Sequence, residues 1–123
     1  MREIKFRAWH KHQKCMFISL FLTFLGKIGI WNYEETEIDF GSNYDFLELM
    51  QFTGLKDRNG VEVYESDIVY WKHLGTYGVV YYNEEEVHYF VKPIKTKEET
   101  ESYLDSTHME VKGNIYENPE LLK

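Results

Sequence analysis

Metal binding is the first chemistry that the N-terminal part of the sequence suggests, because two histidines and the only cysteine lie close together. His10 and His12 are two residues apart, and Cys15 follows them. Residues two apart share one face of a strand, so both imidazoles could offer nitrogen ligands on the same side. The spacing matches no established zinc motif, and three ligands are fewer than a closed structural site needs. We therefore predict no metal site and no cofactor.

Acid and base chemistry is the second candidate, since Glu65 and Asp67 alternate on a short segment and would share a face. Carboxylates at the start of a strand more often accept hydrogen bonds from backbone N–H groups than take part in proton transfer. Cys15 has no neighbouring base, no serine lies in a Gly-x-Ser-x-Gly motif, and no glycine-rich phosphate loop is present. We expect no catalytic residue, and hence no enzyme.

The charge of the chain limits the classes of partner that it can bind. The net charge is −7, but residues 1–14 carry five basic residues against one acidic residue, a local charge of +4. The rest of the chain is strongly acidic, which disfavours nucleic acids and anionic membranes. A nucleic-acid-associated protein remains the alternative, in which a local basic strip contacts phosphates; its residues would be Arg2, Lys5, Arg7, Lys56 and Arg58.

Aromatic residues make up 17% of the chain and are dense in its second half. A row of aromatic side chains on strands can stack nucleic acid bases when a positive groove accompanies it. Here the neighbouring segment NEEEV is acidic, and strand alternation sends half of the rings into the core. A groove for a peptide or a protein fits such aromatic residues better. They are Tyr70, Trp71, Tyr77, Tyr81, Tyr82, Tyr89 and Phe90.

The apolar run at residues 15–25 follows a basic segment, as the core of a signal peptide would. No small-residue cleavage site follows it, and it is much shorter than the about 20 residues that span a bilayer as a helix. We predict a buried strand or strand pair, although a short buried helix stays open. If exposed, the run would be an oligomer contact. With a single cysteine and no targeting segment, we expect a cytoplasmic protein with no membrane association.

Alternating apolar residues predict a strand at 3–9, a turn at 10–14, and strands at 28–33 and 36–40 that extend the first sheet. The segment 41–50 spaces Phe46, Leu49 and Met50 at helical intervals, which indicates one or two helical turns.

In the second half, Val- and Tyr-rich segments predict strands joined as consecutive antiparallel hairpins, with a solvated helix or loop at 96–106. Asn59-Gly60 predicts a hairpin with a type I′ turn, and Gly54 a tight bend. Asn118 and Pro119 predict a capped helical turn at the C-terminus. The predicted strands are 61–64, 67–73, 77–83, 87–92 and 109–116.

Four segments, in order, resemble the YopX-like family of small phage and prophage proteins: MREIKFRAW, LMQFTGLKDRNGVEVYESDIV, GVVYY and GNIYENPELL. They extend from residue 1 to residue 122, whereas 16–48 and 84–110 match poorly. The resemblance implies a mainly β protein with short helices, an SH3-like barrel in the second half and a strand-rich N-terminal extension. We expect a single domain over 1–123, with a subdivision into 1–50 and 51–123 left open. The resemblance implies no reaction.

Two positions depart from the family pattern. Ser66 replaces the glycine of a Y-E-G-D pattern, which predicts a turn without positive φ. His10 stands where an acidic residue is usual, which argues against a shared carboxylate site.

These observations together predict a small non-enzymatic phage protein of the host cytoplasm. We expect it to bind a host or phage protein, with Arg7, Lys56 and Arg58 as candidate binding residues. We also expect a homo-oligomer, formed through the apolar N-terminal half.

Overall fold

The computed structural model describes residues 4–18, 20–22, 28–31, 37–39, 45–72, 75–94, 102–105 and 107–123. The chain forms two compact units, Met1–Gln51 and Phe52–Lys123, which we call unit 1 and unit 2. The single-domain organisation stays a prediction. No helix in these ranges has the length and apolar character needed to cross a bilayer.

Unit 1 is built on β1 (Phe6–His10), which lies between two antiparallel partners. On one side β2 (Cys15–Phe17) follows the predicted turn, and on the other lies the first half of β6 (Leu47–Lys56). Ala8 and Leu47 are buried at the centre, with Phe17 and Phe46 packed against them. The alternation predicted for this segment therefore gives a strand with a small apolar core.

In the apolar run, Cys15–Phe17 and Leu20–Leu22 form strands rather than a helix, but the predicted burial is wrong at 15–18, where Cys15–Phe17 is half-buried and Ile18 is exposed. After β2, the strands β3 (Leu20–Leu22), β4 (Ile28–Trp31) and β5 (Glu37–Asp39) form an antiparallel sheet of their own, in the order β3-β4-β5. The predicted strands are confirmed, but their predicted addition to the first sheet is wrong. Each of these short strands pairs with its neighbour in the chain, because closing a short loop has the smallest entropic cost.

The helical turns predicted for 41–50 are wrong from residue 47 onwards, and 41–44 lie outside the described residues. Leu47–Lys56 is a strand, and Leu49 lies directly opposite Ala8 of β1. Backbone pairing with β1 therefore overrides a weak helical pattern. The second half of β6 belongs to unit 2, where it pairs with β7 (Glu62–Tyr64).

Unit 2 contains an antiparallel sheet in the order β11-β10-β9-β8-β12. The hairpins β8–β9 and β9–β10 confirm two of the predicted consecutive connections. The predicted hairpin between β7 and β8 is wrong, because β7 pairs with β6, and β12 returns to the far side of β8. Ser102–Tyr103 is a short strand rather than a helix or loop, and 96–101 lie outside the described residues. The strand bounds are β8 (Asp67–Trp71), β9 (Thr76–Asn83), β10 (His88–Pro93), β11 (Ser102–Tyr103) and β12 (Met109–Asn114).

One face of this sheet carries the core of unit 2. Alternate residues point to it, so Tyr89 and Val91 of β10 are buried there with Val80 of β9. The mainly β class is confirmed, and the SH3-like barrel stays a prediction. The core cluster comprises Val63, Val69, Val80, Tyr89, Val91, Leu104 and Met109, with Trp71 and Val111 packed against it.

The hairpin predicted at Asn59-Gly60 is present, but its type I′ turn is wrong. Only Gly60 of this pair has a positive φ, +82°. The Gly60 N–H donates to the Asp57 carbonyl at 3.0 Å, and the Asp57 N–H donates to the Val61 carbonyl at 2.8 Å. This pattern is typical of a three-residue loop, in which a type I turn is followed by a left-handed glycine.

The backbone conformations at Ser66 and Gly54 test the predictions made for these two residues. Ser66 has a φ of +69°, so the prediction that this turn needs no positive φ is wrong. Its backbone is held there because its N–H donates to Val80 O at 2.9 Å and its carbonyl accepts from Ile115 N–H at 3.1 Å. Gly54, with a φ of +87°, lies where the β6–β7 register shifts, which agrees with the predicted bend.

The C-terminus ends in a short 3-10 helix, Pro119–Leu122, as the helical turn predicted. Asn118 occupies the N-cap position, but its side chain does not cap the helix. Its Oδ1 accepts the Asn114 N–H instead, at 3.2 Å. The predicted side-chain cap is therefore wrong, because this oxygen stabilises the preceding turn.

Candidate functional site

Four ring side chains form a cluster on the face of the unit 2 sheet opposite its core. Tyr81 of β9 and Tyr103 of β11 both lie directly opposite Phe90 of β10, and His88 is two residues before Phe90. The Phe90 ring centroid is 4.7 Å from that of Tyr103 and 6.1 Å from that of Tyr81, and His88 is 4.9 Å from Tyr103. We call these four residues the outer aromatic cluster.

The members of the cluster differ in exposure, because one ring is buried and two others are exposed. Phe90 is only 9% exposed, whereas Tyr103 is 53% exposed and His88 is also exposed. On the opposite face, Tyr82 pairs with Tyr89 at 5.1 Å between ring centroids. Strand alternation thus sends neighbouring rings to opposite faces, as the sequence predicted.

An acidic turn adjoins the outer aromatic cluster. Glu84, Glu85 and Glu86 connect β9 to β10, and all three are exposed. The Asn83 Oδ1 accepts the N–H groups of Glu85 and Glu86 at 3.0 and 3.1 Å, and Asn83 lies opposite His88. Hydrogen bonds to Asn83 therefore hold the acidic turn next to His88 of the cluster.

The candidate binding residues predicted from the sequence belong to different structural elements. Arg7 lies on β1 of unit 1 opposite Met50; it is half-buried, and its Nε atom is enclosed by protein. Lys56 is exposed at the end of β6, opposite Glu62. Their role in binding stays a prediction.

Arg58 lies in the β6–β7 turn, next to a charged pair on β12. Its Nε is 3.6 Å from Glu110 Oε1, and Lys112 Nζ is 2.9 Å from Glu110 Oε2. The hydrogen bond from Lys112 and its positive charge lower the pKa of Glu110, and the hydrogen bond to Glu110 and its negative charge raise the pKa of Lys112. Arg58 and Lys112 thus share one carboxylate, which reduces the positive charge that they present to a phosphate. The binding role of Arg58 also stays a prediction.

The sequence and the fold are both similar to those of known proteins. The model of the YopX family, described as "YopX protein", matches residues 5–123. The chain belongs to the YopX family. Protein EF1440 from Enterococcus faecalis has a similar crystal structure, with a TM-score of 0.68 and 28% identity over 100% of both chains. Protein yopX from Bacillus subtilis has a similar fold, with a TM-score of 0.62 and 20% identity over 100% of both chains. No curated protein matches the sequence.

In this YopX family protein, His10 has a structural contact rather than an open ligand position at Nδ1. That nitrogen accepts the Gln13 N–H at 3.0 Å, which fixes the turn after β1. The ring is 8% exposed and packs against Phe17 and Phe46, with centroids 5.6 and 4.9 Å away. Among the described residues, no group of three or more His, Cys, Asp or Glu side chains could hold a metal ion.

Asp67 shows the backbone contact expected of a carboxylate at the start of a strand. It is only 1% exposed, and its Oδ2 accepts the Tyr64 N–H at 2.8 Å. The interpretation of this residue as a turn acceptor is confirmed. Asp67 thereby fixes the same turn in which Ser66 has a positive φ.

A cluster that the sequence analysis missed brings together Asp105, Thr107 and His108. His108 Nδ1 is 2.6 Å from Asp105 Oδ2 and 3.0 Å from Thr107 Oγ1. A nucleophile–histidine–carboxylate relay uses the two different ring nitrogens, whereas here both contacts fall on one. Hydrogen bonds from Thr107 and then His108 lower the pKa of Asp105. The cluster stabilises an exposed turn, and the Asp-x-Thr spacing was its sequence signal.

Asp57 is a further residue that the sequence analysis missed. It is 6% exposed, and its Oδ1 accepts the N–H groups of Asn59 and Val61 at 2.8 and 2.9 Å. Burial opposes its ionisation most strongly, but the donors Val111, Val61 and Asn59 and the charge of Lys112 outweigh that effect, so the pKa of Asp57 is lowered. Its position before Arg58-Asn59-Gly60 was a turn signal.

Proposed function

We propose that this YopX family member is a non-enzymatic phage or prophage protein of the bacterial cytoplasm that binds a host or phage protein. The observation that carries the proposal is the outer aromatic cluster, where exposed Tyr103 and His88 rings lie over the buried Phe90. Aromatic side chains are enriched at the centres of protein interfaces, because they bury a large area with few rotatable bonds.

The cluster is also organised before any partner arrives. Phe90, Tyr81 and Tyr103 are held by cross-strand pairing, and their rings contact each other. A partner that docks on rings already in place loses little side-chain entropy. A rigid sheet face therefore supports binding better than mobile surface side chains would.

The non-enzymatic part of the proposal rests on the roles of the buried or ordered carboxylates. Asp57, Asp67 and Asp105 each accept backbone N–H groups within turns. These contacts use the carboxylates to hold the backbone.

Self-association through the apolar run is a further part of the proposal. In unit 1, Ile4 and Ile18 are 71% and 69% exposed, and exposed apolar side chains favour an interface between copies. Light scattering should give an oligomer for the wild-type protein and a smaller mass for Ile18→Ser, with Val61→Ser, a substitution at an exposed residue of unit 2, as the control. A monomeric wild-type protein would overturn this part.

Affinity capture from host and lysogenic cells, with quantitative mass spectrometry, tests the binding proposal. The matched variants are Tyr103→Leu on the outer face and Tyr82→Leu on the opposite face, where Tyr82 is 39% exposed. We expect a partner that wild-type and Tyr82→Leu proteins capture and Tyr103→Leu loses. If no protein is captured, or if Tyr103→Leu captures the same proteins as the wild type, the proposal is wrong.

A further inference from the structure

We infer that the outer aromatic cluster and the acidic turn together bind a basic segment of the partner, one whose arginine or lysine side chains lie over the rings. This inference rests on the proposed protein-binding function and names the chemistry of the partner. It uses two independent features, the exposed ring faces and the exposed carboxylates, that the fold places side by side.

The ring faces supply the first attraction. A cation that lies over the face of an aromatic ring is attracted by its quadrupole, and guanidinium groups also stack on such rings. Tyr103 is 53% exposed, and its ring packs against Phe90 and His88, which hold it in one position. An arginine that stacks on Tyr103 would thus meet a ring that is already fixed.

The acidic turn supplies the second attraction. Glu84, Glu85 and Glu86 are exposed, and the structure shows no ion pair between them and any other described residue. Three adjacent carboxylates create a negative field next to His88, which favours basic partners and repels phosphate backbones.

The two ends of this surface also differ in charge. Lys92 is exposed on the same face of β10, two residues beyond Phe90, so the negative end of the surface lies at the β9–β10 turn. The basic residues of a bound segment would therefore lie between Tyr103 and the acidic turn, away from Lys92. A nucleic acid would place its phosphates against the carboxylates, which disfavours that occupant.

Fluorescence anisotropy with a short synthetic peptide of alternating arginine and glycine tests this inference, beside a matched peptide with glutamate in place of arginine. We expect the arginine peptide to bind the wild-type protein and the glutamate peptide not to bind. Tyr103→Leu should weaken binding about tenfold, whereas Tyr103→Phe, which keeps the ring, and Tyr82→Leu should bind as the wild type does.

A second pair of variants separates local charge from net charge. Glu84→Gln with Glu86→Gln should weaken binding about fivefold. Glu117→Gln with Glu120→Gln changes the net charge equally at exposed positions elsewhere in unit 2 and should leave the affinity near the wild-type value. All four substitutions are at exposed positions, so the comparison does not depend on a variant that fails to fold.

Several results would overturn the inference. They are the absence of arginine-peptide binding, equal binding of the glutamate peptide, or equal weakening by the two glutamine pairs. A Tyr103→Leu protein that loses self-association in light scattering would assign the surface to a second copy. If cells yield a partner that depends on Tyr103 but the arginine peptide does not bind, the proposed function stands and this inference fails. If the peptide binds as expected and no cellular partner is captured, the proposed function fails instead.

Discussion

The Asp57 carboxylate accepts a hydrogen bond from the Val111 backbone N–H at 2.9 Å, although the two residues are 54 positions apart. Val111 belongs to β12, which pairs with β8 on one side, where Val111 lies opposite Val69. Asp57 therefore satisfies a donor on the open side of this edge strand and links the β6–β7 turn to it. Unpaired donors at a sheet edge also invite pairing with other chains, so this contact protects the edge.

Replacing Asp57 with asparagine should destabilise the protein by about 2 kcal/mol. The asparagine Oδ1 can still accept the Asn59 and Val61 N–H groups, but its NH₂ group would then face the Val111 N–H, and two donors would meet. Urea unfolding measures the change in the free energy of unfolding. Asp45→Asn, at an exposed position of unit 1, is the control and should have little effect. Equal stability of Asp57→Asn and the wild type would contradict the structural role of this carboxylate.

The contribution of Asp57 should also depend on pH. Because its pKa is lowered in the folded protein, its stabilising effect is complete above its ordinary pKa of 3.8 and is lost as the pH falls through the folded-state value. The difference in unfolding free energy between wild type and Asp57→Asn should therefore stay constant from neutral pH down to about pH 3.8 and shrink as the pH falls further. A difference that also stays constant below that pH would show that ionisation of Asp57 does not contribute.

Local alternation predicted most strands of unit 2, because Val and Tyr residues in β8, β9 and β10 repeat with the period of two that a half-buried sheet requires. Tertiary pairing decided the elements that were predicted wrongly. Leu49 and Met50 suit either a helix or a strand by spacing, and only pairing with β1 selects the strand. The Asp57–Val111 contact joins positions too distant in sequence for any local pattern to show.

The candidate surface was only partly visible in the sequence for the same reason. The sequence singles out Tyr81 and Phe90 only as members of a larger aromatic set, together with the acidic segment beside them. Tyr103 lies in a segment that was predicted as a helix or loop, so its place opposite Phe90 could not be foreseen. By contrast, Arg58 was singled out for its charge, but its neighbour Glu110 lies on a distant strand.

Ser66→Gly should stabilise the protein by about 0.5 to 1 kcal/mol. Ser66 has a φ of +69°, where a Cβ atom costs energy that glycine avoids, although glycine loses more backbone entropy on folding. Ser66→Ala keeps the Cβ atom and should show no gain. Thermal unfolding of the three proteins gives the comparison, and a lower midpoint for Ser66→Gly than for the wild type would refute the prediction.

Val87→Gly should be stabilising on the same physical grounds. Val87 is β-branched, has a φ of +53° and is 72% exposed, so its side chain contributes little burial to offset the strain. We expect a gain of about 1 kcal/mol in the free energy of unfolding, measured with urea. Val61→Gly, at an exposed valine without positive φ, is the control and should not stabilise.

Photo-crosslinking in cells tests the outer aromatic cluster as a protein-binding surface most directly. A photoreactive phenylalanine analogue is placed at Tyr103 in one variant and at Tyr82, which is 39% exposed on the opposite face, in another. Protein binding at the cluster predicts a discrete adduct with a host or phage protein from position 103 and none from position 82. Equal adducts from both positions, or an adduct from position 82 alone, would contradict it.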